Sequence, residues 1–246
     1  MRTFGIIGYP LSHSFSQRYF TQKFEQEGIH DAEFKNYAIK DIDELENVLA
    51  SETTLQGLAV TIPYKRDVLP FLNTATDAVQ QTGACNCIRI KDHVLTGYNT
   101  DVLGFEASFK THLQPHHTKA LVLGTGGAAA AVEYVLRKLG IEYLLVSRRA
   151  VPEQHILDYS GLDSSVLAQY PVIINCTPLG TYPNVEEAPE IPYTLLTPKH
   201  YLYDLVYNPP LTKFLALGQA QGATIQNGYD MLILQAEENW KLWNEE

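Results

Sequence analysis

Leu121-Val-Leu-Gly-Thr-Gly-Gly-Ala-Ala-Ala-Ala-Val132 decides how the chain is read. A short apolar run ends at Gly124, a glycine-rich turn follows, and the Ala-rich segment beyond is expected to be helical. The spacing Gly124-x-Gly126-x-x-Ala129 fits the dinucleotide pattern G-x-G-x-x-G/A. The first glycine permits a tight turn, and the second lets backbone approach a pyrophosphate. The third position must be small so that helix can pack on strand. Phosphates would then meet free N–H groups and the positive end of the helix dipole. Glycine-rich strand-to-helix turns also arise for packing alone, but here a strand is expected before the turn and a helix after it.

The next apolar run, Ile141-Glu-Tyr-Leu-Leu-Val146, reads as the following parallel strand and ends in Ser147-Arg148-Arg149. An NAD-binding version places Asp or Glu about 20 residues beyond the glycines, on the ribose 2′-OH. Two guanidiniums stand there instead. Their planar forks suit a phosphate, so NADP is expected as the cofactor. The plainer alternative is a pair of arginines capping a solvated strand end.

Composition narrows the rest. A chain of 246 residues with 45% hydrophobic content suits two modest domains or one large one. No apolar run reaches the roughly 18 residues of a membrane span. Met1-Arg-Thr-Phe-Gly-Ile-Ile-Gly enters a strand-like run with no signal-peptide pattern. Cys85, Cys87 and Cys176 are too few for a disulfide framework, and Cys85-x-Cys87 is not a zinc spacing. A reducing cytoplasm is the expected compartment. The net charge of −10 argues against nucleic acid, whose phosphates need a basic footprint. Anionic ligands would have to be met by a few local cations, which directs attention to Lys65, Arg148 and Arg149.

Along the chain, strands are expected at 3–8, 33–39, 57–62, 84–90 and 93–96, the last two joined by Lys91-Asp92. Helices are expected at 16–28, 42–50 and 74–82, an alternation that implies a mainly parallel α/β sheet. A second alternation has strands at 119–124, 141–146, 171–175 and 200–206. Residues 102–118 read as a hinge or linker helix. The fold class expected is α/β, with two domains and a cleft between them where a small ligand would sit. Residues 1–101 would form the substrate domain and 102–228 a Rossmann-type cofactor domain. The last helix, 229–246, would pack back on the first domain.

Several polar residues stand at strand ends. Ser14 and Ser16 follow the first strand, and in extended backbone their hydroxyls would point the same way and grip one ligand group. Ser14 with Gln17 also matches a capping box. Thr61 and Lys65, in Val60-Thr-Ile-Pro63-Tyr-Lys65, lie past a strand end, where open α/β sheets bind ligands. Asn86 is an amide in an apolar run and needs either a backbone or a ligand partner. Asp101, in Asn99-Thr-Asp101, is placed for ligand contact or as a helix cap. Asn175-Cys-Thr177 and Tyr203-Asp-Leu-Val-Tyr207 each end a strand in polar residues, and Gln235 sits in the most apolar turn of the last helix. His112, His116 and His117 are interrupted by Pro115 and read as polar linker, so no metal is expected.

The order of these motifs carries more than any one of them. Ser-x-Ser, Val-Thr-x-Pro-x-Lys, Gly-Ala-x-Asn, Asn-Thr-Asp, Gly-x-Gly-Gly-Ala and Ser-Arg-Arg together resemble the shikimate dehydrogenase family. Asn-x-Thr-Pro-Leu-Gly, Tyr-Asp-x-Val-Tyr-Asn-Pro and Met-Leu-x-x-Gln-Ala continue the resemblance, which runs from Gly8 to Gln235. It implies NADP-linked interconversion of shikimate and 3-dehydroshikimate, on the route to chorismate and the aromatic amino acids. It also implies a substrate site lined by Ser14, Ser16, Thr61, Asn86, Asp101, Tyr207 and Gln235, with Lys65 and Asp101 as the catalytic pair. Gly124, Thr125, Gly126, Gly127 and Ala128 would cradle the pyrophosphate, and Ser147, Arg148 and Arg149 the adenosine phosphate. Asp77, Leu205 and Gly228 would flank the cofactor, and the segment holding Thr177 would either lie against it or only cap its strand.

The chain departs from the family pattern at Ala59, where relatives usually have Asn, at Val102 for Gly, at Gln17 for Pro and at Ser147 for Asn. The stretch 150–170 is short for the usual helix-strand-helix content. Two other readings stand beside the main one: a quinate/shikimate dehydrogenase with relaxed substrate or NAD use, and a catalytically silent dinucleotide-binding regulator. Retention of both Lys65 and Asp101 speaks against the silent one. A small-molecule substrate is the expected partner, without membrane or nucleic acid, and a homodimer is compatible with the sequence.

Overall fold

The computed structural model describes residues 1–12, 14–151, 153 and 156–245. The chain divides into two compact units, Met1–Thr100 with residues from Ala236 onward, and Asp101–Gln235. Glu246, counted in the expected last helix, lies outside the described residues.

The first unit contains β1 (Arg2–Gly8), β2 (Ala32–Ala38), β3 (Leu55–Val60), β4 (Thr74–Ala75), β5 (Cys87–Lys91) and β6 (Val94–Tyr98), with helices α1 (Phe15–Gln26), α2 (Glu44–Ser51) and α3 (Asp77–Thr82). The sheet order is β2-β1-β3-β5-β6-β4. Parallel pairs join β1 to β2 and to β3, and β4 to β6. The exception is β5, antiparallel to both neighbours. Its cause is local: Asp92 (φ 50) and His93 (φ 62) both adopt left-handed backbone, the conformation of a two-residue hairpin turn. The turn is therefore Asp92-His93 rather than Lys91-Asp92. The helix expected over 74–82 begins only at Asp77. Before it, Thr74–Ala75 adds a short strand, and Asn73 Oδ1 accepts the Leu95 N–H at 2.7 Å like a ladder rung.

One face of this sheet is covered by aromatic rings. Phe4 stacks on Trp243 at 5.3 Å, Phe20 stacks on Phe34 at 4.7 Å, and all four side chains are buried. Gly57 has no side chain because the Trp243 indole occupies the space a Cβ would need. The indole N–H donates to the Ile88 carbonyl at 3.0 Å, so the ring is placed by a polar bond as well as by packing. The other face holds Ile7, Leu45, Leu58, Val60, Val68 and Ile88.

The second unit contains β7 (Lys119–Leu123), β8 (Glu142–Ser147), β9 (Ile156–Asp158), β10 (Val172–Asn175), β11 (Tyr201–Asp204) and β12 (Thr224–Gln226). Its helices are α4 (Thr100–Lys110), α5 (Gly127–Lys138), α6 (Ser164–Gln169), α7 (Lys213–Gln219) and α8 (Tyr229–Trp243), the first and last of which cross the division between units. All pairs in its sheet, ordered β12-β11-β10-β7-β8-β9, are parallel. The inner strands are apolar on both faces, as a covered parallel sheet requires, with Ala120–Leu123 and Val172–Ile174 fully buried. From β7 the chain winds outward to β8 and β9, then returns to build β10, β11 and β12 on the other side. The crevice at the carboxyl ends of β7 and β10 is the switch point where such sheets take ligands.

The helix expected within 102–118 is shorter and starts earlier: α4 spans Thr100–Lys110 and crosses the division between the units. Helix α4 stops at Lys110, and its Phe105 and Phe109 are fully buried, Phe109 stacking on Tyr201 at 5.4 Å and Phe105 meeting Tyr203 edge-on at 5.1 Å. The histidines that follow are structural too. His117 is buried, with Nδ1 accepting the Gln114 N–H and Nε2 bonded to the Lys199 carbonyl.

Candidate active site

In the first unit the expected substrate residues gather at one edge of the sheet. Strands β1 and β3 end there, β5 begins there because it runs the other way, and β6 ends there. Thr61 N–H donates to the Ile7 carbonyl at 3.0 Å, and the Asn86 carbonyl accepts the Val60 N–H at 2.8 Å. Thr61 is half-buried, and its methyl fills the space beside Gly8. Lys65 lies in the turn after β3, half-buried, with its carbonyl accepting the Cys85 N–H at 2.8 Å. That bond ties the lysine backbone to the segment leading into β5.

Ser14 and Ser16 are both half-buried at this edge, but the extended-backbone argument for them fails. Ser14 is the N-cap of α1, its hydroxyl accepting the Gln17 N–H at 3.3 Å, and Ser16 is already in the first helical turn. The capping box is half made, because the Gln17 side chain instead accepts from Asn36 Nδ2 at 2.7 Å. The helix start therefore holds the two hydroxyls, as the capping-box alternative expected.

Asn86 is buried and committed to Thr100. Its Oδ1 accepts the Thr100 N–H at 2.7 Å, and its Nδ2 donates to the Thr100 hydroxyl at 3.0 Å. Thr100 Oγ1 donates to Asn239 Oδ1 at 2.6 Å. Asp101 is the next residue after Thr100 and stands in the first turn of α4. Sequence reasoning missed Thr100 and Asn239, and also Asn99, whose buried Nδ2 donates to Thr82 Oγ1 and the Ala84 carbonyl. The signal was present in the polar run Asn99-Thr-Asp101, but only Asp101 was singled out. Asp77 is exposed at the start of α3, with its carboxylate accepting from Gln81 Nε2 at 2.8 Å.

In the second unit the glycine-rich turn runs from the end of β7 into α5, as the sequence led one to expect. Gly124 has φ +102, and a Cβ there would lie 3.1 Å from Thr177 Cγ2 and 3.4 Å from the Cys176 backbone. Gly126 caps α5 in extended backbone with no side-chain cap, and a Cβ at Gly126 or Gly127 would meet nothing within 4 Å. Thr125, Gly126, Gly127 and Ala128 are exposed, whereas Ala129 is buried against the sheet. No acidic residue stands in the first turn of α5, and Arg137 and Lys138 close its last turn. An exposed, uncapped, acid-free helix start fits a pyrophosphate.

After β8, Arg148 and Arg149 are exposed. The Ser147 hydroxyl donates to the Arg149 carbonyl at 2.5 Å and accepts its N–H at 3.2 Å, closing the turn that presents both. Across the switch point, Thr177 is held by Asn175, and a Cβ at Gly228 would collide with the Leu205 carbonyl. Tyr207 is 39% exposed beyond β11. Gln235 is buried on α8, its Nε2 donating to the Leu232 carbonyl at 2.9 Å. Among the described residues no His, Cys, Asp and Glu group is arranged to hold a metal, and no helix is long and apolar enough to cross a membrane.

Comparison with known proteins gives this arrangement a family. A family model described as the shikimate dehydrogenase substrate binding domain matches residues 6–88. The shikimate dehydrogenase (NADP(+)) of Ignicoccus hospitalis is 34% identical over 245 residues, covering 98% of this chain and 92% of that protein. That of Methanosphaera stadtmanae is 32% identical, covering 94% and 87%. Among solved structures, shikimate 5-dehydrogenase from Thermus thermophilus, in complex with NADP(H) and shikimate, superposes with a TM-score of 0.85 at 27% identity, covering 99% and 94%. With a substrate-domain match inside its first unit and whole-length relatives across both, the chain belongs to the shikimate dehydrogenase family.

Proposed function

We propose that this protein is an NADP-dependent oxidoreductase interconverting 3-dehydroshikimate and shikimate, in the biosynthesis of chorismate and the aromatic amino acids. The observation that carries the reading is the 34% identity to an NADP-linked relative over 98% of the chain. In this reading Ser14 and Ser16 at the start of α1 hold the substrate carboxylate with neutral donors. Thr61, Asn86, Tyr207 and Gln235 orient the ring hydroxyls. Lys65 and Asp101 act at the reacting hydroxyl, where the lysine exchanges the proton and the carboxylate orients the group.

NADP, when bound, supplies the hydride chemistry at its nicotinamide. Gly124 to Ala128 would hold its pyrophosphate and Ser147 to Arg149 its extra phosphate, with Asp77, Thr177, Leu205 and Gly228 flanking it. The partner is a small molecule, and the free cysteines suit the cytoplasm.

Initial rates with shikimate and quinate, each against NADP and NAD, test the assignment. Shikimate with NADP is expected to be fastest. Lys65→Ala is expected to lower kcat by roughly 10² to 10⁴-fold with a much smaller change in KM. An unchanged kcat removes Lys65 from the chemistry, and a preference for NAD overturns the reading of Arg148 and Arg149.

A further inference from the structure

Two buried polar side chains that this chemistry leaves unused, Asn175 and Thr212, converge on one carboxylate. Asp204 ends β11 with none of its surface exposed, and no cation is among the groups acting on it. A carboxylate kept this way is costly unless donors surround it. Its donors come from three separate segments. Asn175 Nδ2 at the end of β10 reaches it at 2.9 Å, the Val206 N–H beyond β11 at 3.0 Å, and the Thr212 hydroxyl that caps α7 at 2.5 Å. Thr212 Oγ1 already accepts the Leu215 N–H, so its proton is directed to the carboxylate. An amide at 204 could still accept from Asn175 and Val206, but it would turn an NH₂ toward Thr212 and leave that proton without an acceptor.

The connection continues toward the phosphate turn. Asn175 Oδ1 accepts both the Thr177 N–H (3.0 Å) and the Thr177 hydroxyl (2.6 Å), and the Thr177 methyl stands against Gly124. The Asn175 carbonyl accepts the Leu205 N–H at 3.0 Å, and the Leu205 carbonyl abuts Gly228. The Gly228 N–H in turn donates to the Val206 carbonyl at 3.2 Å. Gly124, Thr177, Leu205 and Gly228, all placed around the cofactor above, are thus joined through the Asp204–Asn175 pair.

We propose that Asp204 is a positioning residue for the dinucleotide: acting through Asn175, it sets Thr177 and Leu205 at the ends of β10 and β11 against the phosphate turn. The proposal rests on the NADP reading. It goes beyond that reading in assigning a role to a residue that need touch neither cofactor nor substrate.

The test is NADPH affinity, read from the cofactor's own fluorescence, together with thermal stability. The proteins are wild type, Asp204→Ala, Asp204→Asn, Asn175→Ala, Thr177→Val and the double variant Asp204→Ala/Thr177→Val. Asp204→Ala is expected to weaken NADPH binding about tenfold, with Asp204→Asn in between, while KM for shikimate moves less than about twofold. In the Thr177→Val background, Asp204→Ala is expected to add less than about twofold, since coupled residues are not additive. A lower melting temperature with unchanged NADPH affinity overturns the proposal, as does full additivity in the double variant. Should Asp204→Ala not fold, unchanged affinity in both Asp204→Asn and Asn175→Ala overturns it equally. Wild-type protein that binds no NADPH sinks the functional reading and this proposal with it.

Discussion

Arg148 and Arg149 are exposed side chains on a turn that one hydroxyl closes, so their effect on cofactor choice can be separated from folding. A charge-assisted bond from Arg to phosphate contributes on the order of 1.5–3 kcal/mol. Replacing either arginine by Ala is expected to raise KM for NADP by roughly 10- to 100-fold and to leave KM for NAD nearly unchanged. Equal losses with both cofactors would return the pair to a solvated strand end. Ser147→Ala should produce a smaller effect of the same kind, because it loosens the turn without removing a cation. At this scale the sequence was least complete. It could nominate Asn86, but Thr100 and Asn239, which complete the bonding around that amide, are 14 and 153 positions away and meet it only after folding. Ser14 was legible as a helix cap from the Gln17 three residues on.

Elements were legible where a physical requirement leaves a mark on neighbouring residues. The turn at Gly124 to Ala129 shows this most clearly, since a left-handed backbone at Gly124 and a buried helix contact at Ala129 each exclude larger side chains. Gly124→Ala should cost on the order of 1–3 kcal/mol in urea denaturation, from strain at φ +102, and should also weaken NADPH binding. Gly126→Ala, in extended backbone with open space around it, should keep near wild-type stability and lose affinity alone. The sequence missed β9, β12, α6 and α7, of three, three, six and seven residues, which are too short for a period to emerge from composition. The extent of helix α4 was misread for another reason. The polar Gln114-Pro-His-His117 that follows it suggested a linker, although Phe105 and Phe109 already marked a buried face.

Across the whole molecule, two buried groups give stability opposite dependences on pH. Burial lowers the His117 pKa, so the stability from keeping it neutral is complete above the usual histidine value and is lost as pH falls below it. Burial raises Asp204 to about 6, against its three hydrogen bonds. Its ionised form therefore costs stability above that pH, and the cost is relieved as pH falls toward the ordinary carboxylate range. Asp204→Asn deletes the second effect. The stability of wild type relative to the variant should then rise by on the order of 2–3 kcal/mol between pH 7 and pH 4, measured by urea denaturation at each pH. A constant difference would mean that the carboxyl titrates normally. The first unit is also discontinuous in the chain, since its last helical turns come from beyond residue 235. A fragment ending at Thr100 would leave Phe4, Phe20 and Phe34 without the indole that covers them, and should aggregate. A synthetic peptide of residues 229–245 added in trans should rescue it, turning the C-terminal helix into a titratable second component whose dissociation constant reports how strongly that aromatic face wants its lid.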